Sequence, residues 1–148
     1  MVFKLTRKIK IRNEIYIENT KPKVFKIKGD IKNIKSPSKE DKEERERFLN
    51  TLKKLCNMFL DFDINSRRIA IQEKYCDNDQ LASCMSFVQF LIRDNTVFCY
   101  CVMRSEIDYI HEWDCDTLRI MTNYIQKRYN IKKSKITMTV NSYHKKLD

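Results

Sequence analysis

Apolar and polar residues alternate at the start of the chain. Phe3, Leu5, Ile9 and Ile11 fall on one side of residues 2–12, and Lys4, Lys8, Lys10 and Arg12 on the other. A period of two predicts a strand with one wet face. Residues 14–18 and 23–28 repeat the habit through Ile15, Ile17, Phe25 and Ile27. Gly29-Asp30 predicts a turn and Ser36-Pro37-Ser38 a break. The period then changes. Phe48, Leu52, Leu55 and Phe59 recur at spacings of four, three and four, a single apolar stripe that predicts a helix over 39–60. Ser38 and Asp41 have capping-box spacing, and Glu40, Asp41, Glu43 and Glu44 favour a helix start there.

Further along, Arg68 to Gln72 reads as a short strand, followed by a hairpin of residues 84–92 and 96–104 around Arg93-Asp94-Asn95. Leu118, Met121 and Ile125 predict a helix over 117–129. Asn130 is suited to a left-handed cap, with Ile131 as its hydrophobic contact. Ile136, Met138 and Val140 alternate in a last strand that runs into Asn141-Ser142-Tyr143-His144. No internal repeat is visible. Strands, helix, three strands, helix and strand predict one α+β domain over 1–148, with helices packed on one face of a mostly antiparallel sheet. Residues 1–38 form its strand-rich beginning and 39–148 its core.

Composition fits this outline. With 148 residues and 42% hydrophobic content the chain can bury a core. No apolar run approaches membrane-spanning length and the N-terminus has no signal-peptide core, which predicts a soluble, intracellular, cytoplasmic protein with no membrane partner. Six cysteines occur without a Cys-x-x-Cys pair. His111 and Cys115 stand one helical turn apart, two ligands where a zinc site needs more, so no metal is expected. Charge is unevenly spread. Residues 1–39 hold twelve Lys and Arg against three acids, whereas residues 40–148 are nearly neutral. Lysines on strands read two ways: as protection of an exposed edge, or as a surface that attracts nucleic acid. One glycine among abundant Lys, Asn and Ile suggests an AT-rich, viral genome, which would put the protein in host cytoplasm or nucleus.

A hairpin centred on Asp94 would pair Val88 with Tyr100, Phe90 with Phe98 and Cys84 with Arg104, bringing a thiol beside a guanidinium. A neighbouring cation favours the thiolate and makes a better nucleophile, and a bulge would shift the register by one. The plainer alternatives are that Cys84 is an ordinary buried cysteine, like Cys99 and Cys101, and Arg104 a strand-end charge.

Ser66-Arg67-Arg68-Ile69, Cys84-Met85-Ser86-Phe87-Val88-Gln89-Phe90, Met103-Arg104-Ser105 and Asn141-Ser142-Tyr143-His144 follow one another at intervals that suit a known family. Over roughly 61–146 the chain resembles thymidylate synthases and their deoxycytidylate hydroxymethylase relatives. The resemblance implies a pocket for dCMP or dUMP in a thymidylate synthase-like fold. In it Cys84 would add to carbon 6 of the base, Arg104 and Ser105 would hold the phosphate, and His144 and Ser142 would lie at the sugar. Arg67 and Arg68 would reach the phosphate from the partner of a homodimer. Asp114 falls where the family reads the base, with Asp116 as the alternative, and a carboxylate there suits cytosine. Asp114 also reads as a helix cap.

The sequence departs from the family in places. Met85 follows the cysteine instead of histidine, Lys146 replaces a sugar-binding tyrosine, and Asp108 is the nearest candidate for an aspartate expected soon after Arg104-Ser105. Residues 1–60 show no match to the half that carries the catalytic glutamate and folate-side tryptophan, and no folate-closing segment follows His144. The expected function is therefore a divergent nucleotide-binding relative. The alternatives are an active transferase using 5,10-methylenetetrahydrofolate, and a basic nucleic-acid-binding domain.

Overall fold

The computed structural model describes residues 5–73 and 84–147. Phe3 and Lys4 of the first predicted strand, and Cys76, lie outside the described residues. The elements are β1 (Thr6–Ile11), β2 (Glu14–Asn19), β3 (Lys23–Ile27), α1 (Lys39–Leu55), β4 (Ala70–Gln72), β5 (Met85–Arg93), β6 (Thr96–Met103), β7 (Glu106–Ile107), α2 (Asp108–Tyr129), β8 (Lys133–Val140) and β9 (Tyr143–Lys146). A π turn over Cys56–Leu60 prolongs α1, so helical structure fills the predicted span 39–60.

The α+β class holds, but the strands form two sheets instead of one. A five-stranded sheet runs β3-β8-β6-β5-β4 and a four-stranded sheet runs β1-β2-β9-β7. Each contains one parallel pair, β6 with β8 and β7 with β9, in an otherwise antiparallel arrangement. The chain changes sheets between β2 and β3, where Pro22 supplies no N–H for a ladder, between β6 and β7, between β7 and β8 through α2, and again at Asn141-Ser142 between β8 and β9. Alternation records which face of a strand is wet; it carries no record of which sheet the strand joins.

Both helices lie on one face of the larger sheet. Phe48 and Leu52 of α1 and Leu118, Met121 and Ile125 of α2 are at most 1% exposed, against Val88 and Phe90 of β5, Cys99 and Cys101 of β6 and Met138 of β8. Each such side chain contributes about 1.5–3 kcal/mol when fully buried. The predicted caps are present. Ser38 Oγ accepts from the Asp41 N–H at 3.1 Å and donates to the Asp41 carboxylate at 2.7 Å. Asn130 has φ 56° and ψ 51°, and Ile131 is buried behind it.

Helix α2 starts at Asp108, nine residues before the predicted start. Ile107 at its N-cap makes no side-chain hydrogen bond, so the usual start signal is missing. The early start also removes the cap role for Asp114, which sits inside the helix.

The hairpin register is corrected by one residue along most of its length. Asp94 and Asn95, with φ 51° and 55°, form a two-residue turn that pairs Arg93 with Thr96. Phe90 therefore faces Cys99 and Val88 faces Cys101, which puts Phe98 and Tyr100 on the opposite side of the sheet. A bulge between Met85 and Phe87 then restores the expected register, with Met85 opposite Met103 and the Arg104 N–H donating to the Cys84 carbonyl at 2.7 Å.

Candidate functional site

The parallel pair β6/β8 ends beside the start of α2, and crevices of this kind, beyond the carboxyl ends of parallel strands, commonly receive ligands. Backbone bonds fasten the segments here. Asn141 N–H donates to the Met103 carbonyl at 3.0 Å and Glu106 N–H to the Ser142 carbonyl at 2.9 Å. Between them lies a cavity of about 200 Å³, lined among others by Cys84, Ser105, Glu106, Asp114 and His144. Asp41 and Glu44 of α1 are in its wall, so residues 1–60 do contribute carboxyl groups to the cavity that holds Cys84.

Arg104 sits at the rim, exposed, with Nη2 3.8 Å from Cys84 Sγ. The pairing is as expected; the activation is not. Surrounding protein raises the Cys84 pKa by withholding water from the thiolate, and Arg104 only partly offsets this. Cys84 is nonetheless exposed, unlike the buried Cys56, Cys99, Cys101 and Cys115.

Asp114 projects into the cavity. Burial raises its pKa, and a hydrogen bond with the Glu106 carboxyl raises it further. Glu106, 3% exposed, is also shifted upward by burial. Its other neighbour is His111, with Nδ1 3.2 Å from Glu106 Oε1. Burial lowers the His111 pKa, which favours the neutral ring. Sequence reasoning missed Glu106. Its only signal was an acid immediately after Arg104-Ser105, and the strand that carries it is just two residues long.

Asp116, the alternative base reader, is assigned elsewhere. It is wholly buried and accepts the Lys32 and Ile34 N–H groups at 2.8 and 3.2 Å, with Arg119 Nη1 at 3.4 Å. Burial alone would raise its pKa, but these donors outweigh it and the pKa is lowered. Asp108 begins α2 and is not in the cavity wall.

His144 is 8% exposed, with its Nδ1 3.2 Å from the Ser142 carbonyl and its ring edge-on to Tyr16. The Ser142 hydroxyl donates to Glu18 and not into the cavity. Ser142 acts through its carbonyl, which receives Glu106 and approaches His144.

Arg67 and Arg68 are not brought to Arg104. They line a separate groove of about 580 Å³ with Met58, Phe59 and Phe62. The Arg67 carbonyl accepts from Gln89 Nε2 at 3.0 Å, and Gln89 lies five residues along β5 from Cys84, roughly 17 Å of strand. Within one chain these arginines serve a different surface.

The described residues contain no group of three or more His, Cys, Asp or Glu able to hold a metal. No described helix is long and apolar enough to cross a membrane. Trp113, the sole tryptophan, is 5% exposed and covered by the Arg45 guanidinium, 3.2 Å from its ring centroid. Among the described residues, neither it nor any Phe or Tyr belongs to the cavity lining, so the described lining offers no ring to stack on the pterin of tetrahydrofolate. No protein-family model matches this sequence, and comparison with curated proteins finds no match.

Proposed function

We propose that this protein binds a pyrimidine deoxynucleotide monophosphate, dCMP or dUMP, as a divergent thymidylate synthase-like protein. The observation that carries this reading is the convergence of Cys84, Ser105, Asp114 and His144 on one cavity with Arg104 at its rim. Its polarity suits such a ligand. A guanidinium at the mouth can take the phosphate in a bidentate grip, while carboxyl groups inside can meet the polar edge of a base. Ser105 would add a hydroxyl to the phosphate, and His144 would stand at the sugar.

A homodimer belongs to this reading. Phe87, Leu91, Phe98, Tyr100 and Val102 lie on the sheet face opposite the helices, and none of them is buried. Phe98 and Tyr100 stack there at 6.3 Å, with Tyr100 43% exposed. A second copy would cover this apolar face, and its Arg67 and Arg68 would supply the phosphate contacts they cannot make in their own chain.

Binding is favoured over turnover. The raised Cys84 pKa and the poor fit of the described lining to folate both weigh against a working transferase. Calorimetry with dCMP, dUMP and inorganic phosphate tests the reading. The nucleotides should bind, and Arg104→Ala should weaken them by at least about tenfold; absence of nucleotide binding at millimolar concentration overturns it. Solvent deuterium at carbon 5 of bound nucleotide tests the thiol. Addition of Cys84 to carbon 6 makes carbon 5 basic, and protonation followed by loss of the original hydrogen exchanges it. Exchange abolished by Cys84→Ala would revive the enzyme reading.

A second reading, nucleic-acid binding, is favoured by charge placement on the smaller sheet. Register puts Lys8, Lys10 and Lys145 on one face with Ile15 and Ile17. The acids Glu14 and Glu18 lie on the other, paired with Lys146 and Arg7. Phosphate backbones suit such a face. Binding to oligonucleotides that weakens with salt and is lost in Lys8→Glu/Lys10→Glu would support it; salt-independent binding, or none, would remove it.

A further inference from the structure

Behind the cavity wall, three side chains form a line of contacts. Cys115 Sγ lies 3.4 Å from His111 Nε2, and His111 Nδ1 lies 3.2 Å from Glu106 Oε1. Glu106 is in the cavity lining; His111 and Cys115, one turn apart on α2, are not. The imidazole is gripped on two sides. Phe25 of β3 lies tilted against it with ring centres 4.1 Å apart, and Tyr143 of β9 meets it edge-on at 5.7 Å. We propose that Glu106 selects the base by accepting the exocyclic amine of cytosine, and that His111 and Cys115 hold its carboxyl in that role from outside the cavity. The proposal rests on the nucleotide reading of the cavity.

The direction of these hydrogen bonds follows from what each group can do. A neutral imidazole has one N–H and one lone pair. A second proton is disfavoured here. The ring is buried among aromatics, and the Lys23 ammonium stands 4.9 Å from the Phe25 ring centre and 4.6 Å from that of Tyr143. The other charges nearby lie on α2 itself and have partners, Glu112 with Lys32 and Arg119 with Asp116. Sulfur is a weak acceptor and a carboxylate a strong one, so the single N–H goes to Glu106 and the lone pair to the thiol. Burial of Cys115, which pushes its pKa up to about 12, keeps the S–H that this lone pair needs. Nδ1–H therefore donates to Glu106 Oε1, and Cys115 S–H donates to Nε2. Burial raises the Glu106 pKa, and the Nδ1–H donor opposes that rise.

With Oε1 engaged by a donor, Glu106 turns only acceptor capacity toward the cavity it shares with Asp114. The backbone keeps that aim, since Glu106 N–H donates to the Ser142 carbonyl at 2.9 Å and β7 bridges to β9. Cytosine carries an amine where uracil carries O4. The amine meets the carboxylate as donor to acceptor; O4 meets it lone pair to lone pair. dCMP should bind more tightly than dUMP by at least about tenfold. The relay makes a further demand. In Glu106→Gln the Nδ1–H is satisfied only by the amide oxygen, which turns the amide NH2 toward the cavity. The preference should then reverse in favour of dUMP.

The test is calorimetry of dCMP and dUMP at about pH 8, well above the ordinary carboxyl value. It compares wild type, Glu106→Gln, Glu106→Gln/His111→Phe, Cys115→Ser and Cys115→Ala. Phenylalanine keeps a ring between Phe25 and Tyr143 but has no donor, so the amide of the double variant is free to turn and the two nucleotides should bind alike. Cys115→Ser keeps a donor and should keep the dCMP preference; Cys115→Ala should narrow it. Equal weakening of both nucleotides in Glu106→Gln, a reversal that survives in the double variant, or an undiminished preference in Cys115→Ala overturns the proposal. Nitrogen NMR of the unliganded protein, with the His111 signals identified by their loss in His111→Phe, gives an arm that needs no ligand. The proton should reside on Nδ1, and a proton on Nε2 overturns the relay whatever binds. A proton on Nδ1 with no nucleotide binding to wild type would instead overturn the nucleotide reading, and base selection with it.

Discussion

Asp114 and Asp116 stand two residues apart on one helix, yet their surroundings push them in opposite directions. Asp116 anchors the segment before α1. It is completely buried, and two backbone N–H groups and a guanidinium point at it, so it stays ionised against the cost of burial. Asp114 faces a cavity that it shares with the Glu106 carboxyl, so burial and its neighbour both favour the protonated form. The difference shows that burial does not by itself decide a carboxyl's charge. The number and sign of the partners decide it.

Stability is the sharpest way to break that comparison. Asp116→Ala would leave the Lys32 and Ile34 N–H groups without their acceptor and Arg119, 5% exposed at its side chain, without its counter-ion. A loss of about 3–5 kcal/mol in chemical denaturation is expected. Asp114→Asn should change stability by less than about 1 kcal/mol near pH 4, since an amide replaces a neutral acid of the same shape, and should become stabilising relative to wild type as pH rises. Equal losses from the two substitutions would erase the distinction.

The two sites also predict opposite limbs of a pH–stability curve. The Asp114/Glu106 pair has pKa values raised on folding. Its contribution is complete below the ordinary carboxyl pKa of about 4 and is lost as pH rises through the raised values, at up to about 1.4 kcal/mol per pH unit for each proton retained. Asp116 has a lowered pKa, so its contribution is present above the ordinary value and is lost as pH falls through the lowered one. Urea denaturation across pH should show both limbs, and Asp114→Asn should flatten the alkaline one while leaving the acid one. An unchanged alkaline limb would mean that the pair is ionised.

A smaller effect separates Cys84 from the buried thiols. Under native conditions an alkylating reagent should modify Cys84 before Cys56, Cys99, Cys101 or Cys115, by mass spectrometry of the labelled peptides. The rate should climb with pH beyond that of a free thiol, because the Cys84 pKa is raised, and Arg104→Ala should slow it at neutral pH by removing the one favourable charge. The smallest change is expected on the outer face of the smaller sheet. Lys8→Glu should alter stability by no more than about 0.5 kcal/mol, since Lys8 is exposed and at a strand edge.

Local rules were legible wherever the cause is local. The stripe Phe48-Leu52-Leu55-Phe59 and the Ser38 and Asn130 caps describe helix ends that are made by residues within a few positions of each other. The beginning of α2 was illegible because Ile107 provides no cap, and its first turns are positioned by the parallel bridge of β7 to β9. Cys84 beside Arg104 came out as expected only because two unseen features cancel: a tighter turn at Asp94-Asn95 and a bulge at the far end of the hairpin.

What the sequence by itself determined is the α+β class, most strand and helix positions, and the thiol–guanidinium pair, because periodicity, caps and hairpin pairing act over short stretches of chain. Tertiary structure alone decided that the strands divide between two sheets, that α1 lends Asp41 and Glu44 to the cavity, and that Glu106 lies against Asp114. It also decided that Asp116, two residues from Asp114, is a structural anchor. Those outcomes depend on contacts between distant segments. The charge of a buried carboxyl is set by whichever groups the fold brings to it.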